Sequence, residues 1–290
     1  RGALTGHDWV CIGKPVSVPV TMQRERLPST RRPCLNPTLP DLDALAQIVR
    51  KAGAIVMTIY NSGFDVRSKA DATPVTEADE RAEAFIVPAL RALAPGVPVV
   101  AEEMAARGQA DAIGRRFWLV DPLDGTREFI KRNGEFTVNV ALIEDGLPVL
   151  GVVGAPALGR LFAGVRGQGA WVDDEQGRRA IRVRPVPAEG LSVVASRSHG
   201  DAQALDRFLA GRKVARLVNA GSSLKLCQLA AGEADLYPRL GRTMEWDIAA
   251  GHAVLVAAGG QVHTLDGQPL RYGKPGFENP HFVASGGAST

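Results

Sequence analysis

The sequence predicts a layered α/β fold, with an antiparallel sheet in its first half and a mixed-sheet α/β unit in its second half. Between residues 97 and 184, six β-like apolar runs follow one another with turn residues between them. After Pro185-Val186-Pro187, strand-like and helix-like segments alternate, which is typical of βαβ units. The length of 290 residues suits two subdomains or one large layered domain. We therefore expect an N-terminal α+β subdomain at residues 41–187 and a C-terminal α/β subdomain at residues 188–290.

Two helices are expected ahead of the first sheet. Asp41 can cap a helix that runs to about Tyr60, because apolar residues recur at helical spacing between residues 42 and 56. Thr76 is expected to cap a second helix, whose apolar face extends to residue 93. Pro88 lies inside that pattern, so we expect it to bend or shorten the helix.

The remaining elements follow in order along the two halves. Strands are predicted at residues 97–101, 117–120, 136–143, 149–154, 161–165 and 180–184, with a hairpin turn at Glu144-Asp145-Gly146. In the second half, strands are predicted at residues 191–195, 214–219 and 234–237. Helices are predicted there at residues 202–209, 224–231 and about 246–258.

The first 40 residues are expected to be a disordered or artefactual extension. They are rich in Pro, Arg and Ser and have no apolar periodicity. They carry six Lys and Arg against two acids, whereas the other 250 residues hold 28 basic and 29 acidic groups. Because the basic charge belongs to this segment and not to the body, we expect no nucleic-acid polymer as a partner.

Membrane insertion and a disulfide framework are not expected. No apolar run approaches the roughly 20 residues that a membrane helix needs. The three cysteines, Cys11, Cys34 and Cys227, form neither a disulfide pattern nor a zinc motif. A cytoplasmic location is therefore predicted, with a peripheral position at the inner membrane face left open.

Two carboxylates follow the apolar run at residues 117–120. This run leads directly into Asp121-Pro122-Leu123-Asp124-Gly125-Thr126, where Pro122 interrupts the strand and Gly125 allows a sharp turn. Carboxylates three residues apart on such a turn would repel each other, and a hard divalent cation removes that cost. A solvated Asp-rich turn is the alternative for this motif taken alone.

Three other segments also end or begin apolar elements with acids. Glu102 and Glu103 follow the apolar run that ends at residue 101. Asp247 starts an apolar helix, where a simple N-cap is the competing role, and Asp79 lies in the first turn of the helix capped by Thr76. Four such segments together favour one shared metal site.

Several strings around these acids carry a family resemblance. They are Ser68-Lys69-Ala70-Asp71, Pro74-Val75-Thr76, Arg132-Asn133-Gly134-Glu135-Phe136-Thr137-Val138-Asn139, Ser196-Arg197-Ser198-His199, Gly221-Ser222-Ser223-Leu224-Lys225 and Trp246-Asp247-Ile248-Ala249-Ala250-Gly251-His252. Together with the 121–126 motif, they resemble the inositol monophosphatase superfamily of Mg²⁺-dependent, Li⁺-sensitive phosphatases, particularly its bacterial 3′(2′),5′-bisphosphate nucleotidase branch. The resemblance covers about residues 42–284 and implies an αβαβα sandwich like that of sugar phosphatases.

The resemblance also implies roles for individual residues. It implies two or three Mg²⁺ ions, held by Glu102, Asp121, the Leu123 carbonyl, Asp124 and Asp247, and it counts Glu102 among the catalytic residues. Asp79 and the Thr126 hydroxyl would then orient and deprotonate the attacking water. A hydroxyl that bonds its own turn is the alternative for Thr126. The backbone N–H groups of Gly125 and Thr126 could bind phosphate oxygens.

The second half carries the implied substrate contacts. Ser196, His199, Gly221 and Lys225 match positions that hold the nucleotide in related enzymes, and Glu102, Leu123, Asp124 and Asp247 would also border the substrate. Lys225 and His199 suit the 5′-phosphate that is not cleaved. A helix-capping role for His199 and a solvated position for Lys225 remain open alternatives.

The implied reaction is hydrolysis of the 3′-phosphate of adenosine 3′,5′-bisphosphate, a by-product of sulfate assimilation, to AMP and phosphate. An inositol-phosphate or sugar-phosphate monophosphatase is the alternative enzyme, and an inactive Mg²⁺-binding regulatory module is the alternative of another class. Asp121 and Asp124 are three positions apart, whereas phosphatases with an aspartate nucleophile carry two aspartates that are two positions apart (Asp-x-Asp). We therefore do not expect an enzyme of that class. The expected partner is a small nucleotide bisphosphate, and the expected assembly is a monomer or homodimer.

Overall fold

We analysed a computed structural model of the chain. The structure describes residues 38–63, 66–68, 74–196 and 202–287. Residues 1–37 of the predicted N-terminal extension (residues 1–40) and His199 lie outside these ranges. From Leu39 onwards, the described residues form one compact unit. Within the described residues, no helix is long and apolar enough to cross a membrane.

The two predicted N-terminal helices are present. Helix α1 spans Leu42–Tyr60 and is capped by Asp41, whose carboxylate accepts from the backbone N–H of Asp43 at 2.8 Å. Helix α2 spans Glu77–Leu93 and is capped by Thr76, the last residue of a short hairpin of β1 (Val66–Ser68) and β2 (Pro74–Thr76). The expected shortening at Pro88 is wrong, because α2 continues to Leu93 with Pro88 inside it.

The first half is built on a seven-stranded sheet, in the order β3-β4-β5-β6-β7-β8-β9. Its strands are β3 (Val99–Ala101), β4 (Arg116–Asp124), β5 (Thr137–Glu144), β6 (Leu147–Ala155), β7 (Arg160–Val165), β8 (Gly169–Asp174) and β9 (Gly177–Ile181). All neighbours are antiparallel except β3 and β4, which are parallel. Between β3 and β4 lies the short helix α3 (Glu102–Ala106), and after β4 comes α4 (Thr126–Ile130).

Most strands of this sheet match their predicted positions, and two features differ. The predicted hairpin turn is present, because Asp145 and Gly146 both have positive φ values between β5 and β6. The pairing of β4 with β5 breaks between Asp121 and Asp124 and resumes at Asp124, so Pro122 makes a bulge rather than the end of the strand. Strand β8, which the sequence did not predict, completes an antiparallel hairpin with β9.

The second half contains a five-stranded sheet in the order β11-β10-β12-β14-β13. Its strands are β10 (Leu191–Ser196), β11 (Val214–Ala220), β12 (Leu236–Arg239), β13 (Gln261–Thr264) and β14 (Phe282–Ser285). The first three are parallel and connected through α5 (Ala202–Leu209) and α6 (Leu224–Ala230), as expected for βαβ units. Strands β13 and β14 are antiparallel additions that the sequence did not predict.

Helix α7 (Glu245–Ala257) packs against the first sheet and also contacts α6 and β13 of the second half. Ten of its 13 residues are buried, so the helix has almost no solvent face. Gly151 on β6 permits a close approach, because a Cβ there would lie 2.6 Å from the carbonyl oxygen of Ala250. On the other face of the first sheet lie α1 and α2. These layers confirm the predicted α/β sandwich, while the division at residue 187 stays a prediction.

Candidate metal centre and substrate cleft

Three predicted carboxylates meet between the two halves of the chain. Glu102, Asp121 and Asp247 each offer an oxygen atom within 4.8 Å of the others. Asp121 is buried, and the other two are partly exposed. Oxygen atoms at this separation are spaced to bind a hard divalent cation together. Segments far apart in the sequence therefore converge on one candidate metal centre.

The parallel pairing of β3 and β4 explains why Glu102 lies beside Asp121. Ala101 pairs with Val120 in register, so the residues that follow them, Glu102 and Asp121, lie next to each other along the two parallel strands. Buried Glu83 on α2 holds the start of α3, because its carboxylate accepts from the backbone N–H of Glu103 at 2.7 Å. Arg107 donates to the other oxygen of Glu83 at 2.8 Å. The first turn of α3, where Glu102 lies, is thus anchored to α2.

The bulge in β4 shapes the loop that carries the second carboxylate. Asp121 Oδ1 accepts from the backbone N–H of Leu123 at 3.0 Å, which closes a tight turn over Pro122. Gly125 then adopts a φ of 89°, and a Cβ there would lie 3.1 Å from the carbonyl oxygen of Glu135. A side chain at this position would be strained in two ways, so glycine suits the start of α4.

Asp124 is held by one donor from each half of the chain. Its Oδ2 accepts from the backbone N–H of Ser223 at 2.6 Å and from the side-chain amide of Asn139 at 3.4 Å. Burial and the neighbouring charge of Asp247 raise the pKa of Asp124 to about 7. Burial, followed by the negative charge of Glu102, raises the pKa of Asp121 well above its usual value. A bound cation would offset this repulsion, so the donor set fits a divalent metal.

Asp247 and Asp79 have the same position at the start of their helices. Asp247 Oδ2 accepts from the backbone N–H of Met244 at 2.9 Å and from the Thr243 hydroxyl at 2.9 Å. Asp247 is the third residue of α7 rather than its N-cap, and its carboxylate caps the start of the helix through the bond from Met244. Asp79 Oδ2 likewise accepts from the backbone N–H of Thr76 at 2.8 Å. Each carboxylate uses one oxygen to fix its own orientation.

The Thr126 hydroxyl bridges the loop and α2. Its oxygen lies 3.3 Å from Asp79 Oδ1 and 3.2 Å from the carbonyl oxygen of Leu123. Both atoms are acceptors, so the single hydroxyl proton can serve only one of them at a time. The bond to Leu123 matches the local turn alternative for Thr126, and the contact with Asp79 matches the role that the resemblance implied.

A cleft of about 160 Å³ opens beside these carboxylates. The predicted residues that line it are Glu102, Asp121, Leu123, Asp124, Gly125, Thr126, Ser196, Gly221, Lys225 and Asp247. Asp79 is not among its lining residues, and His199 lies outside the described residues. The cleft therefore borders the metal-site residues as well as the predicted substrate contacts of the second half.

Lys225 is buried in the wall of this cleft. Only 4% of the residue is exposed, so the alternative of a solvated lysine is wrong. Its Nζ donates to the carbonyl oxygens of Ala220 at 3.2 Å and Ser222 at 2.5 Å. Burial lowers the pKa of Lys225 to about 8, although Asp124 acts in the opposite direction. The ammonium is held at the floor of the turn between β11 and α6.

A further cation in the cleft, Arg239, was not predicted from the sequence. Arg239 ends β12, is 7% exposed and lines the cleft together with Tyr237. One guanidinium nitrogen donates to the carbonyl oxygen of Arg242 at 2.5 Å. The predicted strand ended at Tyr237, so Arg239 was left outside it. A single arginine after a short strand carries no signal of its own in the sequence.

A model of the inositol monophosphatase family matches residues 40–286. The 3′(2′),5′-bisphosphate nucleotidase CysQ of Escherichia coli K12 is 48% identical over 247 residues, which cover 84% of this chain and 99% of that protein. CysQ of Haemophilus influenzae is 31% identical and covers 86% of this chain, with 93% of its own length matched.

Solved structures give the same result. CysQ from Bacteroides thetaiotaomicron has a TM-score of 0.71 and 36% identity, covering 84% of this chain and 97% of that one. The Thermotoga maritima IMPase has a TM-score of 0.70 and 28% identity, covering 85% and 92%. With its fold, its acidic centre and these matches over most of its length, the chain belongs to the inositol monophosphatase family.

Proposed function

We propose that the protein is a Mg²⁺-dependent phosphomonoesterase that hydrolyses the 3′-phosphate of adenosine 3′,5′-bisphosphate to AMP and phosphate. The observation that carries this proposal is one cleft with an acidic wall, formed by Glu102, Asp121 and Asp247, and a buried cationic wall, formed by Lys225 and Arg239. A bisphosphate needs both walls, because one phosphate reacts and the other is only bound. The names of the CysQ relatives agree with this substrate.

The metal would be held by the acidic wall. Glu102, Asp121, Asp124 and Asp247, with the Leu123 carbonyl, offer only oxygen ligands, and such a set suits Mg²⁺. Two or three ions would be bound there. When bound, the cations lower the pKa of a water molecule and offset negative charge on the phosphate and the leaving oxygen.

Asp79 and Thr126 would orient the attacking water. Asp79 Oδ1 can accept the Thr126 hydroxyl proton, since the two oxygens lie 3.3 Å apart. The Thr126 oxygen can then accept a hydrogen bond from the water. As the water loses that proton to Thr126, the Thr126 hydroxyl proton moves to Asp79 Oδ1. Asp79 is fixed for this role because its other oxygen is held by Thr76.

The uncleaved 5′-phosphate would be bound by the cationic wall. Lys225 is supported by the carbonyl oxygens of Ala220 and Ser222, and Arg239 offers a guanidinium on the neighbouring strand β12. Charge-assisted hydrogen bonds to phosphate are stronger than neutral ones, and these two groups are already desolvated. Ser196 and Gly221, at the ends of β10 and β11, would line the nucleotide.

An inositol-phosphate or sugar-phosphate monophosphatase is the second candidate, because the same acidic centre would serve both reactions. Similarity to the Thermotoga maritima IMPase favours it, at the lower identity of 28%. Sensitivity to Li⁺, a cytoplasmic location and a role in sulfate assimilation are part of the first proposal, and a monomer or homodimer remains an expectation.

Phosphate release from a panel of substrates tests these proposals. The panel contains adenosine 3′,5′-bisphosphate, its sulfated analogue, inositol 1-phosphate and a simple aryl phosphate, each with and without Mg²⁺ and Li⁺. Lys225→Ala should raise the KM for the bisphosphate at least about tenfold and leave aryl phosphate turnover nearly unchanged, because only the bisphosphate uses that ammonium. Lys213→Ala, on an exposed lysine away from the cleft, is the matched control. Absence of Mg²⁺-dependent turnover across the panel would leave the inactive-module alternative standing.

A further inference from the structure

We propose that Asn139 is a positioning residue that joins two metal-binding segments to the turn carrying Lys225. This inference rests on the metal centre in the proposed function. Asn139 lies on β5, is 1% exposed and pairs in register with Asp121 on β4. Residues directly opposite each other on neighbouring strands project from the same face of a sheet. The Asn139 side chain is therefore on the side of the acidic centre.

The amide of Asn139 contacts three separate segments. Its Nδ2 lies 3.4 Å from Asp124 Oδ2 and 3.4 Å from the backbone carbonyl oxygen of Asp247. Its Oδ1 accepts from the hydroxyl of Ser223 at 2.7 Å. The backbone N–H of Ser223 in turn donates to Asp124 Oδ2 at 2.6 Å. One side chain thus connects the β4 loop, the first turn of α7 and the turn before α6.

The chemistry of the partners determines the orientation of this amide. The Asp124 carboxylate and the Asp247 carbonyl are acceptors only, so the two protons of Nδ2 must point towards them. The amide oxygen is then left to accept from Ser223, at the shorter distance of 2.7 Å. Every polar atom of this buried amide has a partner, and a 180° flip would set the amide oxygen against two acceptor oxygens.

Thr137 belongs to the same hydrogen-bond network but contacts fewer of the metal-binding segments. It lies two residues before Asn139 on β5, and its hydroxyl oxygen is 3.0 Å from that of Ser223. Since the Ser223 proton serves Asn139, Thr137 must donate in this contact. Its distance to Asp124 Oδ2 is 3.5 Å, longer than an ordinary hydroxyl hydrogen bond. Thr137 has no contact with Asp247 among the hydrogen bonds of the described residues.

Replacing Asn139 should therefore lower the affinity for Mg²⁺, and not only the stability of the folded protein. Groups that orient metal ligands through hydrogen bonds typically change metal affinity by about 10–100-fold when replaced. Asn139→Ala removes at once the amide donor to Asp124 Oδ2 and the donor to the Asp247 carbonyl in the first turn of α7. Thr137→Val, a substitution of nearly equal volume on the same strand, leaves both in place and is the matched control.

The experiment measures Mg²⁺ binding to the whole protein by isothermal titration calorimetry without substrate. We expect the Kd of Asn139→Ala to rise at least about tenfold and that of Thr137→Val to change less than about twofold. In turnover, the Mg²⁺ concentration for half-maximal rate should rise for Asn139→Ala, with a smaller loss of kcat at saturating Mg²⁺. A Kd within about twofold of wild type for Asn139→Ala, or equal weakening in both variants, would overturn the proposal.

A second variant covers the case in which Asn139→Ala does not fold. Ser223→Ala removes the hydroxyl that holds the amide oxygen but keeps the backbone bond to Asp124, so we expect a rise of several-fold in the Kd. An unchanged Kd there would also overturn the proposal. Because the titration contains no substrate, wild-type protein that binds Mg²⁺ but does not hydrolyse the bisphosphate would contradict the proposed function alone.

Discussion

Replacing Gly221 with alanine tests whether the turn before α6 must lie as close to the first half as the structure places it. A methyl group at Gly221 would lie 2.7 Å from the carbonyl oxygen of Glu135 and 2.8 Å from Cγ of Glu128. The first distance is about 0.7 Å short of ordinary van der Waals contact. Since the opposing atom is backbone, either Glu135 or the turn itself has to move. The move would also lengthen the 2.9 Å bond from the Gly221 N–H to the Glu135 carboxylate.

Overpacking of this kind costs about 1–3 kcal/mol, so the free energy of unfolding measured in urea should fall by that amount. The KM for adenosine 3′,5′-bisphosphate should also rise at least about fivefold, because Lys225 follows four residues later on the displaced turn. Gly114→Ala is the matched control, since a Cβ there would have no atom within 4 Å and its φ is not positive. If Gly221→Ala were as stable as wild type with an unchanged KM, the close approach of the turn would not be a requirement of the fold.

Two further results are expected from the charges of the acidic centre. The pKa of Asp124 is raised to about 7 in the folded protein, so between about pH 4 and pH 7 the folded state holds a proton that the unfolded state has lost. The free energy of unfolding of the metal-free protein should therefore fall as the pH rises from about 4 to about 7. Saturating Mg²⁺ should remove that fall. Thermal unfolding at several pH values checks this, and a Mg²⁺ effect equal at pH 5 and pH 7.5 would contradict it. Asp121→Asn should raise the Tm of the metal-free protein, because a buried and repelled charge disappears, while turnover falls at least about 100-fold. An unchanged Tm would mean that the repulsion is relieved without a metal.

The parts of the site that the sequence predicted are those with a local pattern. Asp121 and Asp124 follow an apolar strand, and Asp79 lies three residues after the capping Thr76, so each could be recognised from its neighbours. Their convergence with Asp247 depends on how α7 packs between the sheets, which no short window of sequence contains. The family resemblance provided that link.

The supporting residues had no comparable signal. Asn139 is one polar residue in an apolar strand, where period-2 alternation predicts only that its neighbours face the other way. Its partners Ser223 and Asp247 lie 84 and 108 residues further along the chain. Arg239 is likewise defined by its burial and not by its neighbours. The sequence also did not predict strands β13 and β14, which have four residues each.

The nearly complete burial of α7 also has a consequence for folding during translation. During translation the seven strands emerge first, and the helix that covers one face of them is synthesised more than 60 residues after the last strand, β9. Until then that apolar face has no cover, and Asp247 does not yet exist. A nascent or prematurely terminated chain therefore cannot complete the acidic centre, and its uncovered sheet presents the surface that chaperones and proteases recognise. Catalytic competence would thus arise only in a chain whose second half has folded onto the first.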